Sequence, residues 1–387
     1  MPASITPPTA SIPQISQRPG SGAKRPTPLT VWVAMIIIYI VWGSTYLAIR
    51  FAVETMPPFL MATTRFLVAG SILYLWRRLK GDAAPTRREW RSAAIIGGFL
   101  LVGGNGFLVW AEQRVFSGIA SLIIASVPLW IVVLDSLFFR SARKRYSWVT
   151  VVGVLVGFAG IVLLLGPSEL AGLVGRTNPT GLSPVGVSSP VSGSGSTETP
   201  CPVCGASATA EQSSAGEASS AGGVDPIGGL VLLAGSLLWS AGSIYARGAK
   251  LPSSALLGTG MEMLAGGAGL LALATLAGEW KRLNFSGFAP HSIWGLVYLI
   301  LFGSLLGFTA YLWLLRNAPT ALVSTYAYVN PLVAIFVGNL LASEPLTPRV
   351  LAAAAIILGA VVIITFTQRP VPADPRPTTA PEDQPAA

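Results

Sequence analysis

Residues 103–165 lie on residues 306–368 without a gap, so one stretch of sequence occurs twice in this chain. The register pairs Gly104 with Gly307, Trp110 with Trp313, Ser121 with Ser324, Pro128 with Pro331, Leu129 with Leu332 and Leu137 with Leu340. Upstream, a slightly different offset pairs Trp42 with Trp239, Arg50 with Arg247, Ala52 with Ala249 and Gly70 with Gly267. A longer loop before the third apolar segment of the second copy accounts for the change of offset. Repeats of this length in apolar sequence belong to membrane folds built twice from one template.

The apolar residues come in blocks of membrane length. A spanning helix needs about 20 mostly apolar residues, and ten blocks qualify: 31–50, 57–76, 91–111, 118–139, 147–166, 227–247, 254–276, 292–315, 320–341 and 348–367. Five fall in each copy. A unit with an odd number of spans reverses its orientation when repeated in series, so the expected fold is an all-α membrane protein of ten transmembrane helices arranged as two inverted five-helix repeats. The corresponding divisions are an amino-terminal segment (1–30), the first repeat (31–166), a linker (167–226), the second repeat (227–368) and a carboxy-terminal segment (369–387).

Charge placement supports the inversion, because Lys and Arg collect in cytoplasmic connections. Arg77, Arg78, Lys80, Arg87, Arg88 and Arg91 follow the second span, and Arg140, Arg143, Lys144 and Arg145 follow the fourth. Both loops, and both termini, are therefore expected on the cytoplasmic side of the plasma (inner) membrane. The loop before the tenth span carries only Arg349, as an external loop should; Lys281 and Arg282 run against the pattern. The net charge of +9 is thus a topology signal, and no nucleic-acid partner is expected. The partners expected are the lipid bilayer and a small molecule.

The linker and the two terminal segments are rich in Gly, Ser, Pro, Thr and Ala and read as disordered, with the linker outside. It holds both cysteines, in Cys201-Pro-Val-Cys204-Gly. Structural zinc wants four ligands, and no second pair or nearby His accompanies these two, so no metal or cofactor is expected.

The stretches VWGSTYLAIRFAVETMPPFLMATTRF and ALVSTYAYVNPLVAIFVGNLLASEPLTPRVLAAAAIILGAVVII resemble EamA-type transporters of the drug/metabolite transporter superfamily. The resemblance rests on Trp42-Gly43-Ser44, Arg65, Pro128, Pro331 and Glu344-Pro345-Leu346-Thr347, and covers both repeats. It departs from the family where a basic run at Arg143 to Arg145 replaces an acidic residue before the fifth span. What it implies is a ten-span secondary transporter, often an exporter of amino acids, metabolites or drugs, working by alternating access without ATP. Cargo and coupling ion stay open.

A charged side chain at mid-bilayer costs about 3 kcal/mol on insertion scales, so it survives only where it faces protein or water. Arg65 and Glu262 lie inside the second and seventh spans and are repeat equivalents. Inversion places them toward opposite leaflets, against a direct ion pair. Arg65 could attract an anionic group, and Glu262 could bind a proton, giving proton coupling, or a cationic amine; alternatively each ties a helix to its neighbours. Asp135 and Glu112 fall near span ends and read as interfacial, and Arg50, Glu54, Arg247 and Arg316 as snorkelling groups. Uncharged candidates for the cavity lining are Trp42, Tyr46, Asn105, Trp239, Tyr311, Tyr326, Tyr328 and Asn330, which offer aromatic faces and hydrogen bonds at membrane depth. Pro128 and Pro331 are matched points at which a helix can bend. A membrane-embedded enzyme or a sensor is the competing class. No HExxH or GxSxG motif occurs, and His291 is the only histidine.

Overall fold

The computed structural model describes residues 27–138, 147–166 and 224–367. The expectations for Arg140 to Arg145, for the linker with Cys201 and Cys204 and for most of both terminal segments concern residues outside this set. Among the described residues all regular structure is helical. The helices are α1 (Pro28–Thr55), α2 (Pro58–Leu79), α3 (Arg87–Ala111), α4 (Ser117–Leu137), α5 (Trp148–Leu165), α6 (Pro226–Ala246), α7 (Ala255–Leu276), α8 (Pro290–Leu315), α9 (Thr320–Val323 and Tyr326–Ala342) and α10 (Pro348–Thr367). Nine of the described helices are long and apolar enough to cross a membrane, and Tyr326–Ala342 is a shorter apolar helix. Large apolar side chains such as Ile36, Ile40, Leu75, Leu155, Phe336 and Leu340 point outward, which suits lipid rather than water.

Helix starts follow local chemistry. Thr27 accepts from Thr30 N ahead of Pro28, and Thr86 forms a reciprocal capping box with Glu89. Ser254 accepts from Leu257 N, and Asp225 from Ile227 N and Gly228 N ahead of Pro226. Each side chain satisfies backbone donors that the first helical turn leaves open, while proline supplies a preset φ where no donor is needed.

The inversion is visible in how equivalent helices meet. On α2 and α7, a Cβ at Gly70 would meet Met263 and the Gly260 carbonyl, one at Gly267 would meet Leu67, and one at Gly260 would meet Tyr74. The contacts run in opposite directions along the two helices, so the pair is antiparallel. On α5 and α10, Gly153 faces Ile364, Gly157 faces Ala360, and Gly160 faces Ile356 and Ile357, again antiparallel. Gly157 and Ala360 are themselves equivalent in the repeat register, so they lie beside the pseudo-twofold axis. Small residues let these helix backbones approach closely.

Two faces result. One, the terminal face, holds the start of α1 and the end of α10; the other, the linker face, holds the end of α5 and the start of α6. Arg247 and Asp135 meet at 3.8 Å on the terminal face, and Arg114 and Asp225 at 3.8 Å on the linker face.

Four spans are irregular, in two matched pairs. Within α3 and α8 the ladder widens to π-helix over Gly98–Asn105 and Leu299–Leu306. π turns insert an extra residue and often mark functional positions. The helices of α4 stop at Ile124 and restart at Val127, and those of α9 stop at Val323 and restart at Tyr326. Pro128 therefore sits at the second residue of a new helix, where its missing N–H is harmless. Pro331 lies inside the helix Tyr326–Ala342, and the break precedes it at Ser324 and Thr325.

Candidate functional site

The π segments of α3 and α8 bring two tryptophans across the boundary between repeats. Trp42 of α1 donates its indole N–H to the Gly303 carbonyl at 3.2 Å, and a Cβ at Gly307 would stand 2.3 Å from Trp42 Nε1. Trp239 of α6 lies on Gly104 in the same way, 2.7 Å from the space a Cβ would fill. Since Trp42 pairs with Trp239 and Gly104 with Gly307 in the repeat, these are two copies of one contact, each joining one repeat to the other.

Around Trp42 the ring centroids of Tyr311, Tyr326 and Phe308 lie at 5.2, 5.3 and 5.5 Å. Tyr311 and Tyr326 stand edge to face at 5.7 Å. Three of the expected lining residues thus form one aromatic group, with Tyr46 one turn further along α1. Around Trp239 the surroundings are different. Glu262, Thr259, Gly97, Leu100 and Phe308 join it about a cavity of about 20 Å³, room for a water but not for an organic molecule. Phe308, equivalent to Asn105, touches both groups and links them.

Arg65 is buried on α2 and donates through Nε to Ser304 Oγ at 3.0 Å, with its guanidinium 4.8 Å from the Phe66 ring centroid. Gly303 keeps this region open, because a Cβ there would meet Thr45 at 3.0 Å and Arg65 at 3.3 Å. Asn105 and Asn330 each hold a buried Oδ1 with no hydrogen-bond partner, so both carry acceptor capacity that the protein does not use. Tyr328 is partly buried against the main core, on the other side of its helix turn from the Trp42 group. The structure therefore gathers Trp42, Tyr311 and Tyr326 in one cluster and Trp239 with Glu262 in another, and leaves Arg65 with Ser304.

Several partners escape sequence reasoning. Ser44 Oγ and the Tyr298 hydroxyl meet at 2.7 Å, and Ser126 and Ser236 at 2.9 Å, beside the break in α4. Ser240 donates to the Val127 carbonyl at 3.1 Å, so α6 reaches into that break.

The linker face is held by carboxylates. Glu279 accepts from Phe59 N at 3.1 Å and Leu60 N at 2.8 Å, capping α2. Glu344 accepts from Ser117 N at 2.9 Å, Ser117 Oγ at 2.8 Å and Gly118 N at 3.0 Å, capping α4. Each places a negative group at a helix N-terminus that its dipole favours, and each reaches from the second repeat to the first. Arg50 stands 3.7 Å from Glu344 and 3.4 Å from the Val115 carbonyl, so it is engaged with protein as well as placed at a span end. Glu112 does lie at the end of its span, but protein covers it to 2% exposure. On the terminal face Asp82, the repeat equivalent of Glu279, is bonded by Arg77 and by Ser254, and these hold its carboxyl below the usual value. Burial pushes Glu279 the other way, above the usual value, against its two backbone donors.

The two halves also match known sequences. The profile of the EamA-like transporter family fits residues 30–166 and 226–366, one match on each repeat. This chain belongs to the EamA-like transporter family. Among its EamA-like relatives is the uncharacterized inner membrane transporter YedA of Escherichia coli K12, 34% identical over 362 residues, which covers 93% of this chain and 97% of that one. An uncharacterized transporter of Synechocystis is 25% identical over 84% of this chain and 86% of its own length. A chloroplastic WAT1-related protein of Arabidopsis thaliana is 25% identical over 87% of this chain and 70% of its own length. The resemblance read from the Trp42 and Glu344 motifs is thereby established for the family, and the chain is a multi-pass membrane protein of a transporter family.

Proposed function

We propose that this EamA-like protein is a secondary transporter that exports small metabolites, amino acids or drugs across the inner membrane by alternating access, with both termini cytoplasmic. The reciprocal packing of Trp42 on Gly307 and of Trp239 on Gly104 carries the reading. Alternating access needs a site between two lobes that can part on either side, and these contacts supply two related seams across one interface. Cavity space beside Glu262 is too small for organic cargo in this arrangement, so cargo entry requires the repeats to separate there. Trp42, Tyr311 and Tyr326 then offer aromatic faces to an amphipathic or cationic molecule, while Arg65, Asn105 and Asn330 offer polar contacts. Glu262, which has no charged partner among the described residues, takes up and gives back a proton as the interface opens to each side.

The test is reconstitution in liposomes, with amino acids and cationic drugs screened for uptake with and without an imposed pH gradient. Saturable uptake that rises when the gradient is imposed supports a coupled secondary transporter. Absence of saturable uptake across the panel counts against the proposed cargo classes, and uptake indifferent to the gradient counts against proton coupling.

A further inference from the structure

On the linker face, the end of α3, the start of α4 and the loop between α9 and α10 converge around one arginine. Glu344, on that loop, is fully engaged: three donors from Ser117 and Gly118 bind its two oxygens, and Arg50 stands 3.7 Å away. The loop is itself built to hold this position. Ser343 adopts a left-handed φ of 52°, Asn339 donates to the Glu344 carbonyl at 2.9 Å, and a Cβ at Gly338 would stand 2.6 Å from Glu344 Oε2. The loop belongs to the second repeat and α4 to the first, so Glu344 is a latch between them.

Glu112 lies beside this latch and is not part of it. It is 2% exposed, and neither carboxylate oxygen has a hydrogen-bond partner. The charges that act on it are Glu344 from the loop, Arg50 from α1 and Arg65 from α2, and the Tyr46 hydroxyl of α1 also feels it. The hydroxyls at the start of α4 are committed elsewhere, Ser117 to Glu344 and Ser121 to the Gly118 carbonyl, and at this end of α6 the acidic group, Asp225, is engaged by Arg114 at 3.8 Å. An ionised carboxylate sealed from water without donors is costly; Arg50 already stands by Glu344 and Arg65 donates to Ser304, and the neighbouring Glu344 charge disfavours a second carboxylate beside it. The packing as it stands suits Glu112 carrying its proton, with Arg50 left to Glu344.

We infer that Glu112 is a proton-binding site, separate from Glu262, whose occupancy sets the strength of the Glu344 latch. With the proton on, Arg50 and the α4 donors keep Glu344 in place and the linker face stays shut. When the proton leaves to water on that face, the Glu112 carboxylate draws Arg50 toward itself and repels Glu344, and the start of α4 is released. The consequence for transport rests on the reading under Proposed function, but the latch can be tested without any cargo.

Ile119 is 7% exposed and packed under the Glu344 loop, so a cysteine there reports release. In the full chain with Cys201→Ser and Cys204→Ser, Ile119→Cys is labelled with N-ethylmaleimide from acid to mildly alkaline pH, each rate divided by that of free N-acetylcysteine at the same pH. The normalised rate should rise about tenfold with pH, a coupling of ordinary size between two sites. Glu112→Gln should label slowly at every pH, Glu112→Asp should restore the rise with a displaced midpoint, and Glu262→Gln should keep the original rise. A flat profile in the parent, or a parent-like rise in Glu112→Gln, overturns the inference. If Glu112→Gln does not fold, Glu112→Asp decides, because an unmoved midpoint in that variant assigns the titration to another group. Failure of cargo uptake with an intact labelling profile would strike the transport reading and leave the latch standing.

Discussion

The indole of Trp42 fills the space that a side chain on Gly307 would need, with Nε1 only 2.3 Å from the position of a Cβ. Tyr311, Tyr326 and Phe308 surround the ring, so it has little room to withdraw. Gly307→Ala should therefore destabilise by about 1–3 kcal/mol, the usual range for overpacking. Gly104→Ala should do the same through Trp239. Thermal unfolding in detergent checks both, and a Gly307→Ala protein as stable as the parent would show that the indole can move aside at little cost.

Glu279 supplies a pH test. Burial raises its carboxyl above the ordinary value of about 4.3, outweighing the donors from Phe59 and Leu60. A group whose folded-state value is raised contributes stability that is fully present below the ordinary value and lost as pH rises through the raised one. The unfolding temperature of the parent should accordingly decline over that interval. Glu279→Gln, which cannot titrate, should decline less; equal slopes in the two proteins would remove Glu279 from the pH dependence.

How much of this could be read from the sequence depends on what kind of signal each feature leaves. Apolar length and repeat register are periodic, so the ten spans, their inversion and the pairs Trp42 with Trp239 and Gly104 with Gly307 were legible. That each tryptophan would land on the glycine of the other repeat was not, since it depends on how α1 and α6 cross the widened segments of α8 and α3. The breaks in α4 and α9 illustrate a partial signal: proline marked the right spans, but the break falls ahead of it, at Ala125 and Ser126 in one copy and at Ser324 and Thr325 in the other. Glu112 shows the limit most clearly. Its sequence position gives its depth along the span, and only the tertiary fold supplies the protein that covers it.

Glu262→Gln separates coupling from scaffolding. The amide keeps the size of the side chain and removes titration. Accumulation driven by a pH gradient should be lost, while exchange of cargo at equal concentrations on both sides continues. Unchanged gradient-driven accumulation would make Glu262 a structural group.

Orientation is open to labelling. Cys201 and Cys204 lie in the linker between the repeats, and the proposed orientation, with both termini cytoplasmic, puts that linker outside. After mild reduction, a membrane-impermeant thiol reagent should label them in intact cells. Labelling only after the cells are opened would reverse the assignment of the two faces.

The central claim, that cargo passes between the repeats where the two tryptophans cross, is tested most directly by flux in proteoliposomes. For a compound that the wild type accumulates, the initial rates of Trp42→Ala and Trp239→Ala are compared at matched protein and matched insertion. Each variant should be slower by on the order of tenfold, the rate equivalent of about 1.4 kcal/mol, with the loss shared by both because the two contacts are related by the repeat. Wild-type rates in both variants would contradict the account and place the cargo path elsewhere in the bundle.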